Sequence, residues 1–298
     1  MSLRIIQLSD PHLSATRPFH QDNWEQVLEA LAADPPDLII VTGDVVLSDP
    51  DEEDDHGFAR RQLDRLPGPW RVLPGNHDIG DNLVSGGMAK RVDPQRLRRW
   101  HRHFGEDRWS LTLDGWLLLG INAQILNAPR LAAEAEQAAW LEAVLAKTDP
   151  AAPVALFLHK PLFMDHPSET AMDQSSLDLE ARNGVMAMLA GRDLRLVASG
   201  HKHQWRGFDL DGVRHVWAPS TASVNGAPTA KNWGLREVGF VEHQLEGRRT
   251  RQRLLGRDWL TRHESYVVSL EHGSPMRAPI LSASAAGVEP AGGQSGMR

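Results

Sequence analysis

The sequence contains no cysteine among its 298 residues, and this absence excludes several kinds of site. Disulfide scaffolds, thiolate zinc sites, iron–sulfur clusters and cysteine nucleophiles all need a thiol that the chain does not have. Long hydrophobic runs are also absent, since no segment approaches about 18 uninterrupted apolar residues, and the sequence predicts no transmembrane helix. Any metal site must therefore use oxygen and imidazole ligands, and 14 histidines are available for it.

A strong charge of one sign is missing too. Lysine plus arginine number 32 against 39 for aspartate plus glutamate, which gives a formal net charge of −7. This balance argues against a protein held to nucleic acid by bulk electrostatics. The first residues lead directly into a strand-like run and lack the apolar stretch and cleavage site of a secretory signal, so we expect a soluble, cytoplasmic protein.

The distribution of apolar residues is typical of an α/β protein, because short β-type runs alternate with segments of helical period. A hairpin is predicted over Trp109 to Asn122, with Asp114-Gly115 as its two-residue turn. Helices are predicted near residues 22–33, 56–66, 93–104, 132–147 and 178–191. Other strands are predicted near residues 3–8, 37–42, 70–73, 153–158, 194–199, 205–210, 213–218, 237–245 and 249–255.

Clusters of charge occur at three places. The acidic run 49–55 is interpreted as a solvated loop whose last carboxylates begin a helix, where the helix dipole favours negative charge. The basic clusters are interpreted as a solvated helix face and as a charged edge strand that resists edge pairing, rather than as a nucleic-acid surface. The helix carries Arg96, Arg98, Arg99, Arg102 and His103, and the strand carries Arg249, Arg251 and Arg253.

Metal-ligating residue types follow five of the predicted strands, at the point where each strand ends. In open α/β sheets ligands collect at the carboxyl ends of the strands, so these turns are expected to converge on one site. They carry, in chain order, Asp10 and His12, then Asp44, then Asn76, His77 and Asp78, then His159, and finally His201 and His203.

The local spacing supports a metal site. Asp10 and His12 are two residues apart, as are His201 and His203, and in an extended segment such residues point to the same side. Glycines at 43, 75 and 200 allow tight turns that bring the side chains close to one another. Oxygen and imidazole ligands without thiolates suit Mn²⁺, iron or Zn²⁺.

The ordered set D-x-H, G-D, G-N-H-D, H and G-H-x-H resembles the calcineurin-like metallophosphoesterase superfamily, and looks most like its class III cyclic-nucleotide phosphodiesterases. The resemblance covers about Leu3 to Ser220. It implies a four-layer α/β/β/α sandwich with mixed sheets and a dinuclear metal site at the strand carboxyl ends. We expect this domain to span 1–272, with 226–272 adding C-terminal strands that could form a homodimer interface, and 273–298 to be a disordered or extended tail.

The resemblance also implies roles for individual residues. Asp10, His12 and His203 would bind one metal ion, and Asn76, His159 and His201 would bind the second, with Asp44 bridging them. His77 would act on the leaving oxygen or the transition state, and Asp78 would either orient His77 or cap a helix. Two divalent or mixed-valence ions (Mn²⁺, Fe²⁺/Fe³⁺ or Zn²⁺) would supply a bridging hydroxide and clamp the phosphoryl oxygens.

These roles predict a phosphodiesterase for small diesters of the cyclic-nucleotide or glycerophosphodiester type, with no membrane or nucleic-acid partner. A nuclease or phosphomonoesterase using the same site, and a non-catalytic scaffold, remain as alternatives. Asn76, Asn122 and His166 are candidate substrate-binding residues on loops. Lys160 follows His159 where many members of the group have a second histidine, and it is interpreted as solvated or as a phosphate contact.

Overall fold

The computed structural model describes residues 2–47, 49–82, 90–128, 131–170, 175–225 and 232–265. The tail predicted at 273–298 lies outside these residues. The described helices are α1 (Gln21–Ala33), α2 (Glu53–Leu63), α3 (Asn76–Ile79), α4 (Pro94–Phe104), α5 (Ala132–Ala146) and α6 (Leu179–Met188). The described strands are β1 (Leu3–Leu8), β2 (Leu38–Val41), β3 (Trp70–Val72), β4 (Trp109–Leu113), β5 (Trp116–Gly120), β6 (Pro153–Phe157), β7 (Asp193–Ser199), β8 (Arg206–Leu210), β9 (Val213–Trp217), β10 (Ser223–Val224), β11 (Phe240–Glu246), β12 (Arg249–Leu255) and β13 (His263–Glu264).

Two mixed sheets form the centre of the molecule. The first sheet has the strand order β12-β11-β1-β2-β3, with β1, β2 and β3 parallel. The second sheet has the order β4-β5-β6-β7-β9-β8, with β5, β6, β7 and β9 parallel and the outer strands antiparallel. A short parallel pair joins β10 to β13. Parallel strands need crossover connections, which the helices and loops between them provide.

The alternation of side chains along the strands produces three apolar clusters and therefore four layers. Ile5 lies in the central cluster between the two sheets, whereas Ile6 lies in the outer cluster beneath α1, α2 and α4. In the second sheet Leu118 faces the central cluster and Leu119 faces the cluster beneath α5 and α6. The predicted α/β/β/α sandwich with mixed sheets is confirmed.

The predicted hairpin is present as β4 and β5. Asp114 and Gly115 both have positive φ, at 47° and 79°, which is the backbone conformation that a two-residue mirror-image turn requires. The helix predicted at 56–66 begins earlier, at Glu53, because Glu53, Asp54 and Asp55 suit a helix N-terminus. Among the described residues, no helix is long and apolar enough to cross a membrane.

The acidic run is an exposed loop that leads into the first turn of α2, as predicted, and it also binds part of the basic face of α4. Asp51 accepts hydrogen bonds from Arg96, and Glu53 accepts from Arg99. Only 13% and 9% of these two arginine side chains is exposed. Arg96 and Arg99 are therefore paired within the fold, whereas Arg98 is exposed. Arg249, Arg251 and Arg253 lie on the edge strand β12, as predicted.

Candidate metal centre

The predicted ligands all lie on loops that follow parallel strands. β1, β2 and β3 of the first sheet lead to Asp10 and His12, to Asp44, and to Asn76 at the start of α3. β6 and β7 of the second sheet lead to His159 and to the His201–His203 turn. Because the two sheets pack against each other through the central cluster, these strand ends meet at one edge of the sandwich.

The first set of ligands, called group one here, consists of Asp10, His12 and His203. All three residues are buried, and one ligand atom from each lies within 4.8 Å of the others. Nε2 of His203 is 3.1 Å from Nε2 of His12 and 3.3 Å from Oδ1 of Asp10. These three atoms therefore surround a space of the size that a metal ion occupies.

The second set, group two, consists of Asp44, Asn76, His159 and His201. Nε2 of His159 is its centre, at 3.3 Å from Oδ2 of Asp44, 3.1 Å from Oδ1 of Asn76 and 3.2 Å from Nδ1 of His201. Asp44 and His159 are buried, whereas Asn76 and His201 are half-buried. Group two thus has a more accessible side than group one.

His77 lies beside both groups. Its Nε2 is 3.9 Å from Oδ2 of Asp44, and its ring meets the ring of His12 edge to face with centroids 4.9 Å apart. Its backbone N–H donates to Oδ1 of Asp44 at 2.8 Å, which fixes the start of α3 against this carboxylate. With 25% of its side chain exposed, His77 can reach a molecule that approaches from solvent.

Backbone carbonyls determine which nitrogen of each buried histidine faces the site. Nδ1 of His12, His159 and His203 donates to the carbonyl oxygens of Leu47, Thr42 and Ser223, at 2.9, 2.7 and 2.8 Å. A carbonyl oxygen accepts only from an N–H, so the proton is on Nδ1 and the Nε2 lone pair points inward in neutral histidine. This is the usual second-shell arrangement of metal-binding histidines.

The donor set fits metal ions. Two Nε2 atoms that both lack a proton face each other at 3.1 Å in group one, and neither can donate to the other. Oδ1 of Asp10 is buried and accepts no hydrogen bond from the described residues. A cation in contact with these atoms would satisfy all of them, and imidazole with carboxylate oxygen suits zinc, iron or manganese.

The charged groups act on one another strongly. Burial disfavours an ionised Asp44, but the neighbouring His159 and His77 outweigh burial and hold the pKa of this carboxyl well below its usual range. Burial likewise disfavours protonated His159, but the Asp44 carboxylate overcomes it and raises the pKa of His159 to about 9. The pKa values of His12 and His201 are lowered, mainly by burial. Asp44 is therefore ionised and His12 and His201 are neutral imidazoles, whereas a cation that binds group two would have to displace the proton from His159.

The backbone of this edge is unusual. Five candidate ligands have left-handed φ values, at 51° for Asp10, 46° for His12, 52° for Asp44, 68° for His201 and 50° for His203. Such conformations cost free energy outside glycine and cluster at functional sites. Asp10 and His12 converge on one group as predicted, but His201 and His203 belong to different groups. The extended-backbone reason for convergence is wrong, because all four residues have left-handed φ values.

The glycines in these turns provide space for the ligands. A Cβ at Gly75 would lie 2.2 Å from Oδ1 of Asp44, and one at Gly200 would lie 2.7 Å from Oδ2 of Asp10. Gly43 also has a φ of 92°, and its Cβ would lie 2.6 Å from Nδ1 of His159. The predicted close approach at these glycines is confirmed, and substitution would displace the ligands.

Comparison with known proteins decides the family of this chain. The family model described as calcineurin-like phosphoesterase matches residues 3–205. The chain belongs to this family. It is therefore a metal-dependent phosphoric ester hydrolase, and the resemblance drawn from the ordered motifs is confirmed.

Curated relatives and solved structures agree with this assignment. The chain is 28% identical over 256 residues to "3',5'-cyclic adenosine monophosphate phosphodiesterase CpdA" of Escherichia coli (strain K12), covering 82% of this chain and 85% of the relative. It is 26% identical over 222 residues to "Probable glycerophosphodiester phosphodiesterase GpdQ" of Arcobacter nitrofigilis, covering 67% and 71%. The fold is similar to a dimetal phosphatase from Danio rerio, with a TM-score of 0.59, 14% identity, and coverage of 86% of this chain and 96% of that one.

Asp78 has the contacts of a capping residue. Its Oδ1 accepts from the backbone N–H of Val46 at 2.9 Å, and its Oδ2 accepts from that of Gly75 at 2.7 Å. Burial, followed by the charge of Asp44, raises the pKa of Asp78 to about 8. These contacts match the helix-cap alternative and connect the Asp44 loop to α3, so Asp78 influences His77 through the backbone.

Two of the candidate substrate contacts have other surroundings. The Asn122 side chain is fully buried, donates to Asp107 at 2.8 Å and accepts from the backbone of Gln124 at 2.9 Å. These contacts hold the chain together after β5. His166 is exposed, and its ring is hydrogen-bonded to Ser168 at 2.7 Å within its own loop.

The position of Lys160 after His159 led us to expect a solvated side chain, but the structure shows the opposite. Its side chain is fully buried, and Nζ donates to Oδ1 of Asp81 at 2.5 Å and to Oδ1 of Asn82 at 2.9 Å. The ion pair connects the loop after β6 to the segment that follows α3. Lys160 is therefore part of the fold that supports group two.

A polar chain behind group one was not predicted. Gln7 donates to Thr42 at 3.0 Å, the Thr42 hydroxyl donates to Ser9 at 2.8 Å, and the Ser9 hydroxyl donates to Oδ2 of Asp10 at 2.5 Å. All four residues are buried. The available signal was Gln7 within the apolar run Leu3–Leu8, since a buried polar residue in a strand needs a partner.

Proposed function

We propose that this protein is a phosphodiesterase that hydrolyses small diesters of the cyclic-nucleotide or glycerophosphodiester type. The observation that carries the proposal is the pair of ligand groups at one edge of the sandwich, with His77 in contact with both. The relatives named as cyclic-AMP and glycerophosphodiester phosphodiesterases support this choice of substrate class. The pairing of Arg96 with Asp51 and of Arg99 with Glu53 argues against an extended nucleic-acid surface there.

In this proposal Asp10, His12 and His203 hold one metal ion, Asn76, His159 and His201 hold the other, and Asp44 contacts both. When bound, the two cations would lower the pKa of water and neutralise charge on the phosphoryl oxygens. The carbonyls of Leu47, Thr42 and Ser223 keep the histidine rings oriented so that no rearrangement is needed when the cations bind.

His77 is assigned the proton transfer. It is accessible from solvent, lies next to Asp44 and is fixed through its own backbone N–H, so its ring can be directed at the oxygen that leaves phosphorus. A protonated imidazole there would stabilise the departing alkoxide. The half-buried Asn76 amide lies on the same accessible side and can also contact a substrate oxygen.

The test is a substrate panel with defined metals. The full chain is stripped with chelator, reloaded with Mn²⁺, Fe²⁺ or Zn²⁺, and assayed on 3',5'-cyclic AMP, a glycerophosphodiester, bis(p-nitrophenyl) phosphate, a phosphomonoester and single-stranded DNA. We expect metal-dependent hydrolysis of the small diesters to exceed that of the monoester and DNA. A preference for DNA or for the monoester would favour the alternative enzymes.

The double variant Asp44→Ala, Asn76→Ala is the control for this assay. It removes ligands from the site without altering the α4 surface, and it should lose diester hydrolysis with every metal. Hydrolysis of bis(p-nitrophenyl) phosphate that persists in this variant would contradict the proposal. A wild-type protein that binds no transition metal would support the scaffold alternative.

A further inference from the structure

A buried hydroxyl in the segment after β9 contacts group one. Ser220 is fully buried, and its Oγ donates to the carbonyl oxygen of Asp10 at 2.6 Å. The same Oγ accepts from the backbone N–H groups of Ala222 at 2.9 Å and Ser223 at 3.1 Å. One donor and two acceptor interactions use the full capacity of a hydroxyl group.

The hydrogen bonds of Ser220 restrain the backbone at two different ligands, Asp10 and His203. Asp10 has a left-handed φ of 51°, and the Ser220 hydroxyl fixes the direction of its carbonyl. The Ser223 residue held by Ser220 presents its own carbonyl oxygen to Nδ1 of His203 at 2.8 Å. Ser220 thus restrains Asp10 from one side and the imidazole of His203 from the other.

We infer that Ser220 is a positioning residue for the group-one metal ion, coupling the orientation of Asp10 to that of His203. The inference rests on the proposed dinuclear site. Ser220 has no described hydrogen bond to a group-two residue: His159 is oriented by the carbonyl of Thr42 and Asp44 by the backbone N–H of His77. The two groups meet at the Asp10 carboxylate, which accepts from the backbone N–H of His201 at 3.0 Å, whereas Ser220 holds the Asp10 carbonyl. Loss of the Ser220 hydroxyl should therefore weaken one metal site and leave the other unchanged.

α1 supports the same turn from the opposite side. The Asn23 amide donates to the carbonyls of Thr221 at 2.9 Å and Ala222 at 3.3 Å, and Asn23 is fully buried. Asn23 has no described hydrogen bond to Asp10 or His203, so it can be altered without removing a direct contact to either ligand. It provides a second, independent way to loosen the turn.

The experiment is titration of metal-free protein with Mn²⁺, followed by calorimetry or chelator competition. Wild type should bind two equivalents, and Ser220→Ala should weaken one of them about 10–100-fold while the other stays within about twofold. Ser199→Ala is the matched control, because Ser199 is also buried but its hydroxyl has no hydrogen-bond partner among the described residues. Ser220→Thr retains the hydroxyl and should restore most of the affinity.

Two backgrounds identify the weakened site. In Asn76→Ala, where group one remains intact, adding Ser220→Ala should weaken the remaining site; in His203→Ala, where group two remains, it should have no effect. Equal weakening in both backgrounds, or wild-type affinities in Ser220→Ala, would overturn the inference. If Ser220→Ala is unfolded by circular dichroism, Asn23→Ala must weaken the group-one site selectively or the inference fails. Fewer than two equivalents in wild type would instead count against the proposed function.

Discussion

Some buried histidines lie at the strand ends and others lie within the sheets, and the contrast between these two sets shows what makes a ligand. His12, His159 and His203 at the strand ends each have one ring nitrogen on a backbone carbonyl and the other facing another ligand. His215 and His243 in the second and first sheets are almost as buried. His215 stacks on Phe208 with ring centroids 5.0 Å apart, and Nδ1 of His243 has no hydrogen-bond partner among the described residues.

The two sets of histidines differ in how many other ligand atoms lie near the ring nitrogen, and not in how buried the rings are. Burial is the main cause that lowers the pKa of His215 to about 4 and of His243 to about 3, so both are neutral imidazoles at neutral pH. Neither belongs to a cluster of histidines and carboxylates, among the described residues, that could hold a metal ion. A buried histidine becomes a candidate ligand only when the fold brings other donors to its inward-facing nitrogen.

The largest effect should come from a histidine at the centre of group two. His159→Ala removes the nitrogen that lies within 3.3 Å of Asp44 and within 3.1 Å of Asn76. We expect loss of one metal equivalent and a fall in kcat/KM of at least about 10³-fold, because metal ions supply several kcal/mol of transition-state stabilisation. Metal analysis and steady-state kinetics on a small diester check this result.

The control for that experiment is a buried histidine of the other region. His215→Phe replaces an imidazole stacked on Phe208 by a ring of similar shape, and it should keep both metal equivalents and near wild-type kcat/KM at neutral pH. Equal losses in His159→Ala and His215→Phe would show that burial, rather than convergence, explains the effect.

His77 differs from both His159 and His215, because it lies in the site but is assigned no metal. His77→Asn should lower kcat about 10²–10⁴-fold, as expected for loss of a general acid, while both metal equivalents remain bound. The loss should be larger for a diester with an alkoxide leaving group than for bis(p-nitrophenyl) phosphate, whose leaving group needs no proton. Equal losses on both substrates would assign His77 an electrostatic role instead.

Lys160 follows the ligand His159 in the sequence, and a substitution there shows whether it acts in catalysis or stabilises the fold. Lys160→Met removes the buried ammonium that pairs with the Asp81 carboxylate. The free energy of unfolding should fall by about 3 kcal/mol, measured by urea denaturation. The double variant Lys160→Met, Asp81→Asn should recover part of this loss, and full stability of the single variant would contradict the structural role.

The sequence was sufficient to predict those features that depend on local pattern. The strand ends, the Asp114-Gly115 turn and the order of the five motifs could all be predicted because each depends on neighbouring residues. The left-handed backbone of Asp10 and His203 could not, since contacts with distant residues stabilise these conformations, including the bond from Ser220 to Asp10. Local sequence contains no information on such partners.

The same limit explains the expectations that failed. Lys160 looked solvated because its partner, Asp81, lies on a segment far away in the sequence, and Asn122 looked accessible because its partner Asp107 precedes the hairpin. In each case a polar residue was predicted to be exposed, but a distant partner compensates its burial.

The smallest effect is expected from the pH dependence of stability, and it concerns the histidines outside the site. Burial lowers the pKa of folded His215 from 6.5 to about 4, outweighing the carboxylate of Asp209. Between these values the unfolded chain binds more protons than the folded one, so stability falls as pH falls from about 6.5 to 4. At pH 5 this proton uptake lowers the free energy of unfolding by about 2 kcal/mol relative to neutral pH.

The variant His215→Phe cannot take up this proton. Its free energy of unfolding, measured in urea, should therefore drop by about 2 kcal/mol less than that of wild type between pH 7.5 and pH 5. Identical slopes in the two proteins would mean that His215 is not held neutral by its surroundings, and the contrast with the metal-site histidines would then rest on His243 alone.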